Sequence, residues 1–495
     1  MADAQMARDP GTFDIHADED QYDSGDEENE YMEGTDPETP GSEEEEGSDS
    51  SDAREESSVE ELVAEDMEKF VDTFKGIGSR FRLINRIGEG TFSTVYKAED
   101  LYYDEYVNDW DLEHKENHKW SSPPLKKRRT DGSTGMQRSQ GRRGPQYVAI
   151  KKIYVTSSPH RIQNELELLH DLRGCDSVCP LITAFRHLDQ VVAVLPYFRH
   201  VDFREYFRDF TVADMRVYFR SLFTALDAVH THDILHRDIK PTNFLYDIHR
   251  RRGVLVDFGL AEREGTDSSH CTCQNSPAAR RNKLEASGIL GQPPSMGYPK
   301  DDQRPSRRAN RAGTRGFRAP EVLFKCTAQT SKIDIWSAGV ILITMLARRF
   351  PFFNSADDIE AMIEIATIFG ARKMRACALL HNTVFETSIP TIGERGFSLE
   401  KIVLWSTGRT GTKSSASASA STASTATEPA AGNTGSDGGN GETSTLTPDE
   451  AKAVRFLGRC LELDPARRIS AAEALQHDFL ACAGEDEPEG MDLLS

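Results

Sequence analysis

Residues 236–243 decide the fold, and they read His236-Arg237-Asp238-Ile239-Lys240-Pro241-Thr242-Asn243. Transfer of a phosphoryl group needs mainly an oriented acceptor hydroxyl, neutralised phosphate oxygens and bound magnesium. We expect Asp238 to accept the hydroxyl proton, Lys240 to contact the moving phosphate and Asn243 to bind Mg²⁺, which prefers oxygen ligands. The octet therefore predicts phosphoryl transfer, and the lysine two residues after the aspartate favours serine or threonine as the acceptor.

A glycine-containing hairpin and a lysine-bearing strand precede the octet. The hairpin, residues 87–97, reads IGEGTFSTVYK, and its glycines allow backbone N–H groups to approach the phosphates of ATP. Ser93 stands where the usual pattern has a third glycine. The strand YVAIKK contains Lys151, which we expect to contact the α- and β-phosphates. Glu165 on the next helix is the expected ion-pair partner of Lys151, with Glu167 as the alternative.

A hinge against which adenine can stack is expected at residues 191–198. We interpret this stretch as an edge strand that runs into a connector, because Pro196 cannot donate a hydrogen bond within a central strand. Leu195 is expected to guard the back of the nucleotide pocket. The complete set of residues expected to bind ATP is Ile87, Gly88, Glu89, Gly90, Thr91, Phe92, Ser93, Val95, Ala149, Lys151, Leu195, Pro196, Tyr197 and Phe198.

The elements after the octet also follow in order. Asp257 opens an Asp-Phe-Gly triplet after an apolar strand and is the second expected Mg²⁺ ligand. Glu321 ends an Ala-Pro-Glu triplet, and Arg468 is the expected partner of that carboxylate. Asp334 begins an apolar helix. Seven such elements in order predict an α+β, bilobal eukaryotic protein kinase fold with three insertions and a disordered acidic N-terminal tail.

Composition supports this division of the 495 residues. Residues 1–56 carry 22 of the 81 acidic side chains and 2 of the 59 basic ones, so nearly all of the net charge of −22 lies in this tail. Such a segment buries too little apolar surface to offset its ordering entropy. We predict a disordered acidic tail at 1–56, an N-terminal helix at 57–79, a protein kinase domain at 80–480 and an acidic C-terminal tail at 481–495. The insertions are expected at about 101–146, 265–310 and 406–445, the last a Ser, Ala, Thr and Gly linker.

The N-terminal helix is predicted to begin at a capping box formed by Ser58 and Glu61. Its apolar residues, among them Leu62 and Phe70, fall on one stripe that we expect to pack on the kinase body.

The second insertion contains Cys271 and Cys273 beside His270. A structural zinc site needs four ligands, and these residues supply three at most. The sequence therefore favours a chain without zinc, unless the fold brings a further ligand from elsewhere.

The stretch before the Ala-Pro-Glu triplet predicts a pocket for the residue that follows the acceptor. Arg311, Arg315 and Arg318 surround Thr314 there. Guanidinium groups favour carboxylate or phosphate through bidentate hydrogen bonds, although arginines at this place can also simply anchor the loop.

The composition argues against several classes of protein. Outside the acidic tail the chain is almost neutral, so we expect no direct binding to nucleic acid. The longest apolar run is far shorter than the roughly 20 residues of a membrane span. Without a charged-then-apolar leader, we expect the eight cysteines to lie in a reducing intracellular compartment. The basic run Lys126–Arg129 is typical of a nuclear-import signal or of a solvated charge cluster.

Read together, six stretches resemble the fungal form of the cell-division-cycle-seven kinase family. They are GEGTFSTVYKAEDL, RIQNELELLHDLRG, VVAVLPYFRH, HRDIKPTNFLYD, RRGVLVDFGLAE and RAGTRGFRAPEVL, and the resemblance covers residues 76–480 apart from the insertions. It implies the catalytic subunit of the Dbf-dependent kinase, a nuclear enzyme that uses ATP and Mg²⁺ and needs a Dbf-type regulatory subunit. The implied substrates are subunits of the minichromosome-maintenance helicase, phosphorylated to start DNA replication.

Two alternatives stay open from the sequence. The casein-kinase-one family shares HRDIKPxNF but lacks the Ala-Pro-Glu triplet that is present here. A pseudokinase scaffold would bind partners without transferring phosphate, yet it usually lacks the lysine, the base or a magnesium ligand, all of which this chain retains.

Overall fold

The computed structural model describes residues 52–90, 92–106, 108, 145–265, 270–287, 312–409 and 445–481. The following predictions therefore lie outside the described residues: the acidic tail up to residue 51, most of the first insertion with its basic run, the end of the second insertion, the linker at 410–444 and the C-terminal tail after residue 481. Among the described residues, no helix is long and apolar enough to cross a membrane.

The N-terminal lobe is built on one five-stranded antiparallel sheet. Its strands are β1 (Phe81–Glu89), β2 (Ser93–Asp100), β3 (Tyr147–Ile153), β4 (Thr183–His187) and β5 (Gln190–Pro196). Their order across the sheet is β1-β2-β3-β5-β4. The prediction that β5 is an edge strand is therefore wrong, because β4 covers it. Pro196 is tolerated because it is the last residue of the strand, where the ladder ends.

Two helices precede the sheet, α1 (Asp52–Thr73) and α2 (Ile77–Arg80). The predicted start of α1 is wrong, since Ser58 and Glu61 lie inside the helix and do not cap it. The expected packing on the kinase body is confirmed, because Phe70 is fully buried. Its ring stacks on that of Tyr96 from β2 at a centroid distance of 5.1 Å and meets the ring of Phe74 edge-on at 5.0 Å. Leu62, which was expected on the buried stripe, is 64% exposed.

One helix follows β3 in the N-terminal lobe. This is α3 (Pro159–Asp171), and its buried residues include Ile162 and Glu165. Pro159 occupies the first turn, where its missing N–H costs no hydrogen bond.

The C-terminal lobe is helical. Its helices are α4 (Phe203–Tyr206), α5 (Val212–Thr231), α6 (Pro277–Ala286), α7 (Pro320–Leu323), α8 (Lys332–Ala347), α9 (Asp358–Phe369), α10 (Ala371–Leu380), α11 (Leu399–Ser406), α12 (Pro448–Cys460), α13 (Ala471–Leu475) and α14 (Asp478–Ala481). Helix α8 contains the longest apolar run and is buried along almost its whole length, as predicted. It forms the centre of the core, and α5 and α12 pack against it.

Capping chemistry fixes where the last helices begin. In the sequence, a threonine or serine followed three residues later by glutamate predicts a capping box at Thr447 and at Ser470. Both form: Thr447 and Glu450 cap α12, and Ser470 and Glu473 cap α13. Arg409 makes a bidentate ion pair with Glu450, with N–O distances of 2.8 and 2.9 Å. The chain therefore stays anchored to residue 409, a little beyond the predicted start of the linker at 406.

Four short strands lie below the sheet and hold the catalytic loops. They are β6 (Ile234–Leu235), β7 (Phe244–Asp247), β8 (Arg252–Leu255) and β9 (Glu262–Arg263). β6 pairs with β9, and β7 pairs with β8. Residues 236–243 therefore leave one two-stranded ladder and enter the other, so the octet is fixed at both of its ends.

Candidate active site

Asp238 lies at the centre of the site, and each of its carboxylate oxygens accepts hydrogen bonds. Oδ1 accepts from the Thr314 hydroxyl at 2.7 Å and from the Thr314 backbone N–H at 2.9 Å. Oδ2 accepts from Asn243 Nδ2 at 3.0 Å and lies 2.9 Å from Lys240 Nζ. Lys240 Nζ also donates to the Thr314 hydroxyl at 3.0 Å. The base, the cation and a hydroxyl therefore meet within hydrogen-bond distance, as phosphoryl transfer to a hydroxyl requires.

The loop that carries Asp238 is anchored by a buried carboxylate of helix α8. Asp334 accepts hydrogen bonds from the backbone N–H groups of His236 and Arg237 at 2.9 and 2.8 Å, and it lies 3.0 Å from His230 Nε2. Burial by itself would raise the pKa of Asp334, but the hydrogen bond and the charge of His230 lower it below the usual value. Asp334 therefore stays ionised and holds the start of the octet.

Lys151 joins the two lobes through carboxylates. Its Nζ lies 2.7 Å from Glu165 Oε1 and 2.9 Å from Asp257 Oδ1. The pair expected with Glu165 is therefore present, whereas Glu167 hydrogen-bonds Gln163 on the exposed side of α3. Burial alone would lower the pKa of Lys151, but the two carboxylates raise it above its usual value.

The same contacts act on the acidity of Asp257. Burial would raise its pKa, yet the charge and hydrogen bond of Lys151 lower it to about 2. Asp257 is therefore a carboxylate at neutral pH, which is the form that binds a metal ion. Its backbone φ of 63° is unusual for a residue other than glycine.

The side-chain amide of Asn243 is oriented so that its oxygen can bind magnesium. Nδ2 donates to the carbonyl oxygen of Asp238 at 2.9 Å and to its carboxylate at 3.0 Å. These bonds fix the orientation of the amide and leave its oxygen as the atom able to coordinate a cation. With the ionised carboxylate of Asp257, the residues present supply the hard oxygen ligands that Mg²⁺ prefers.

A cleft of about 310 Å³ connects these groups to the glycine hairpin. Gly90, Phe92 and Ser93 of the hairpin line it, together with Lys151 and Asp257. Of the remaining residues expected to bind ATP, Ile87, Gly88 and Glu89 lie on β1, Val95 on β2 and Ala149 on β3. Leu195 and Pro196 end β5, where they pair with Ala149 and Val148, and Tyr197 and Phe198 follow directly. Thr91 lies outside the described residues.

The loop that ends at the Ala-Pro-Glu triplet places Thr314 on Asp238. Gly313 makes this approach with a φ of 101°, and a Cβ at this position would collide with the carbonyl oxygen of Arg237. Arg237 is itself engaged, with its guanidinium 2.5 Å from Glu262. The close passage of the two backbones thus requires glycine before the threonine.

The two described arginines of the predicted substrate pocket make different contacts. Arg318 donates to the carbonyl oxygen of Gly313 at 2.8 Å and to Asp358 at 2.6 Å, so it anchors the loop. Arg315 is exposed and donates to the carbonyl oxygen of Ala356 at 2.6 Å. Arg311 lies outside the described residues. Of the two described arginines of the set, Arg315 is exposed and Arg318 is partly buried.

Two sets of residues were only partly found from the sequence. Asp334 was assigned to the start of a buried helix, but not to the anchoring of the octet. Cys271 and Cys273 were singled out, whereas their neighbours in the structure, Cys326 and His381, were not, because they lie far away in sequence. No spacing pattern in the sequence joins these four residues.

The comparison with known proteins agrees with this geometry. The protein kinase domain family matches residues 131–280 and 296–480. The chain is 49% identical over 418 residues to the cell cycle serine/threonine-protein kinase hsk1 of Schizosaccharomyces pombe, covering 84% of this chain and 75% of that protein. It is 37% identical over 426 residues to the cell cycle protein kinase spo4 of the same organism, covering 84% and 89%. It is 40% identical over 325 residues to the probable cell division control protein 7 homolog 2 of Encephalitozoon cuniculi, covering 66% and 80%.

The chain belongs to the cell-division-cycle-seven family of protein kinases. As a member it is a serine/threonine protein kinase of the cell cycle, and the protein kinase domain uses ATP and Mg²⁺ in general. The buried ion pair between Glu321 and Arg468, with N–O distances of 2.6 and 2.9 Å, shows that the Ala-Pro-Glu element is built into the core. This element argues against the casein-kinase-one alternative, in agreement with the family.

Proposed function

We propose that this cell-division-cycle-seven kinase transfers the γ-phosphoryl group of ATP to serine or threonine hydroxyls, with Asp238 as the base. The observation that carries the assignment is the 2.7 Å hydrogen bond that the hydroxyl of Thr314 donates to Asp238. It demonstrates that a hydroxyl fits against this carboxylate. An acceptor hydroxyl held in the same way would be oriented for attack and would give its proton to Asp238.

The other charged groups of the site then take complementary roles. Bound Mg·ATP supplies the phosphoryl group and the metal that neutralises its oxygens. Lys240 would contact the transferred phosphate, because its Nζ already reaches both Asp238 and the hydroxyl. Lys151 would contact the α- and β-phosphates, and Glu165 would hold it in place. Asn243 and Asp257 would bind the metal.

The glycines of the hairpin support a nucleotide at this place. A Cβ at Gly88 would lie 3.8 Å from Val95, and one at Gly90 would lie 3.8 Å from the Ser93 carbonyl oxygen. These are ordinary contacts, so the packing of the described chain does not itself require glycine at either position. Close approach of phosphates to the backbone N–H groups would require it.

We further propose that the substrates are acidic sites on subunits of the minichromosome-maintenance helicase, that the reaction starts DNA replication, and that it takes place in the nucleus. These finer statements rest on the resemblance, and the relatives' names support only a role in the cell cycle. The Lys126–Arg129 run supports nuclear import, although it lies outside the described residues.

A Dbf-type regulatory subunit is the partner that the resemblance implies. The Lys151–Glu165 ion pair is already formed in the structure of the single chain, which supports a partner that acts elsewhere. We therefore propose that a partner acts on the segment between Asp257 and Glu321, which carries the long insertion.

The first experiment measures ATP turnover on a serine peptide with and without a Dbf-type subunit. A transferase gives phosphopeptide in stoichiometric amount with ADP, and this activity should depend on Asp257. A pseudokinase scaffold would bind the partner without any turnover in either condition, and that outcome would refute the assignment.

A second experiment addresses selectivity. Two peptides differ only by Glu or Gln directly after the acceptor serine. A charged hydrogen bond to Arg315 contributes under about 1 kcal/mol when exposed and about 1.5–3 kcal/mol when shielded, so the preference for Glu should lie between a few-fold and about 100-fold. Arg315→Ala should reduce the preference for Glu. Arg82→Ala, which removes an exposed arginine on β1, is the control and should not change it. Equal rates on both peptides would exclude a pocket that prefers an acidic residue after the acceptor serine.

A further inference from the structure

The aromatic ring of Phe92, at the tip of the glycine hairpin, is faced by a cation from helix α3. The guanidinium carbon of Arg161 lies 4.8 Å from the centroid of this ring. Within about 6 Å of the centroid, a cation is attracted by the negative face of an aromatic ring. Phe92 is 45% exposed and Arg161 is partly exposed, so burial in the core does not force the two side chains together. We call this pair the hairpin clasp.

The backbone at the hairpin tip is held by separate contacts. The carbonyl oxygen of Phe92 accepts a hydrogen bond at 2.9 Å from the backbone N–H of Tyr154, just after β3. The backbone N–H of Gly90 donates to the carbonyl oxygen of Ser93 at 2.9 Å. Because these bonds are made by the backbone, they do not set the direction of the phenyl ring. The contact with Arg161 directs this ring onto α3.

Helix α3 also contacts the segment that carries Asp257. Nη2 of Arg161 lies 3.4 Å from the carbonyl oxygen of Gly259, in a long hydrogen bond. Three residues further along the helix, Asn164 donates to the carbonyl oxygen of Ala261 at 2.8 Å. Both acceptors follow Asp257 closely in the chain. Arg161 therefore connects the hairpin tip to the expected magnesium-binding segment.

The position of Arg161 along α3 is unfavourable for a cation on local grounds. It is the third residue of the helix, after Pro159 and His160, and the first turn contains no acidic residue. The positive end of the helix dipole disfavours a cation there. Within the described ranges, no carboxylate forms an ion pair with this guanidinium, which contacts the ring of Phe92 and the carbonyl oxygen of Gly259 instead. Helix stability therefore gives no reason for an arginine at this place.

Both members of the clasp line the cleft of about 310 Å³ in which the nucleotide is expected. One member belongs to the hairpin, whose backbone N–H groups would approach the phosphates. The other belongs to the helix that holds Lys151 through Glu165. Direct contact of the guanidinium with phosphate is the alternative role, but the two contacts that it already makes favour a role in positioning.

We propose that Arg161 is a positioning residue for Mg·ATP and that it acts through Phe92. The clasp holds the hairpin tip against α3, so less ordering of the hairpin remains to be done when the nucleotide binds. It acts equally on the bound nucleotide before and during transfer, so it should lower the KM for ATP and leave kcat nearly unchanged. The inference rests on the proposed use of ATP for phosphoryl transfer, but its first test measures nucleotide binding alone.

That test is a double-mutant cycle on the affinity of the full chain for Mg·AMP-PNP, an ATP analogue that is not hydrolysed, measured by isothermal titration. Phe92→Leu and Arg161→Gln should each weaken binding by about two- to fivefold, the effect of a partly exposed contact between a cation and a ring. The combined variant should bind no more weakly than Phe92→Leu alone, because both changes break the same contact. Additive losses, or no loss in Arg161→Gln, would overturn the proposal.

Two further variants serve as matched controls. Phe92→Trp keeps an aromatic face, of the kind that attracts cations best, and should retain the affinity that Phe92→Leu loses. Arg208→Gln makes the same substitution at an exposed arginine just after α4, whose guanidinium lies 5.4 Å from the ring of Phe207, and it should leave the affinity unchanged. Equal binding by the Leu and Trp variants would show that the aromatic face has no role, and the proposal would fail.

A kinetic measurement distinguishes positioning from a purely structural role. With the regulatory subunit present, Arg161→Gln should raise the KM for ATP as much as it weakens binding and should keep kcat within about twofold. Its melting temperature should not fall, because the change removes a cation from the first turn of α3. A loss confined to kcat, or a lower melting temperature, contradicts the assignment. A wild-type chain that binds the analogue but transfers no phosphate would refute the proposed function, whereas the binding cycle would still decide the role of Arg161.

Discussion

Replacing Asp238 by asparagine tests the proposed base, and the structure shows what the replacement would disturb. Oδ1 of Asp238 faces the Thr314 hydroxyl and N–H, while Oδ2 faces Asn243 Nδ2 and Lys240 Nζ. All four partners can donate hydrogen bonds. An amide has only one acceptor oxygen, so its NH₂ group must face either Asn243 Nδ2 and Lys240 Nζ or the backbone N–H of Thr314. Of the four partners, only the Thr314 hydroxyl could turn to accept a hydrogen bond from it. The amide therefore cannot reproduce the native arrangement.

The size of the effect follows from two separate contributions. Loss of the proton acceptor should lower turnover by about 10²–10⁴-fold, equivalent to about 3–5 kcal/mol in activation free energy. An NH₂ group that faces hydrogen-bond donors should lower the free energy of unfolding by about 2 kcal/mol. This cost is smaller than for a fully buried site because the side chain of Lys240 is 27% exposed to solvent. Affinity for ATP should change by only a few-fold, because Lys151 and Asp257 keep their mutual contact.

The assay compares γ-phosphoryl transfer to one serine peptide, with the regulatory subunit present throughout. Nucleotide affinity is measured separately by fluorescence titration, which also reports whether the variant is folded. Asp209→Asn makes the same chemical change at an exposed position and should retain turnover within about twofold, as expected of a surface substitution. An Asp238→Asn variant that binds ATP and keeps more than about one tenth of wild-type turnover would remove Asp238 from the role of base.

Three other outcomes are expected. The purified, unphosphorylated chain should have weak activity that rises on addition of a Dbf-type subunit, and full activity of the chain alone would contradict this. Glu321→Gln should lower the free energy of unfolding by about 3–5 kcal/mol in a denaturant titration, because Arg468 would be left as a buried cation without its carboxylate. Glu400→Gln, at an exposed position, is the control, and an equal loss of stability in both variants would disprove the reasoning. Deletion of residues 412–442 should leave the rate of phosphoryl transfer and the melting temperature nearly unchanged, since the Arg409–Glu450 ion pair joins the two ends of this linker. A large fall in melting temperature would show that the linker contributes to the core.

The core of the fold could be predicted from the sequence because each kinase element is a local pattern. The buried helix α8, the capping boxes at α12 and α13 and the order of the catalytic motifs all depend on residues close together in the chain. The Lys151–Glu165 and Glu321–Arg468 pairs connect distant residues, yet they were predicted because each member stands in a recognisable motif.

The errors have physical reasons. The position of β5 inside the sheet was missed because a proline at the last position of a strand leaves no ladder bond unmade. The start of α1 was misplaced because a serine followed three residues later by glutamate also fits the interior of a helix. Asp358, which contacts Arg318, was not found from the sequence, because nothing near Arg318 along the chain reveals a partner forty residues later.

The buried cluster of three cysteines and His381 shows most clearly where sequence reasoning ends. Cys273 and Cys326 are 53 positions apart, and Cys271 and His381 are 110 positions apart, so no spacing rule for metal sites could join them. They meet because the insertion returns to α7 and α10 before the chain reaches Thr314. The described part of the insertion is therefore fixed to the C-terminal lobe independently of Asp238, while the end of the segment is fixed to it by Thr314 and Arg318.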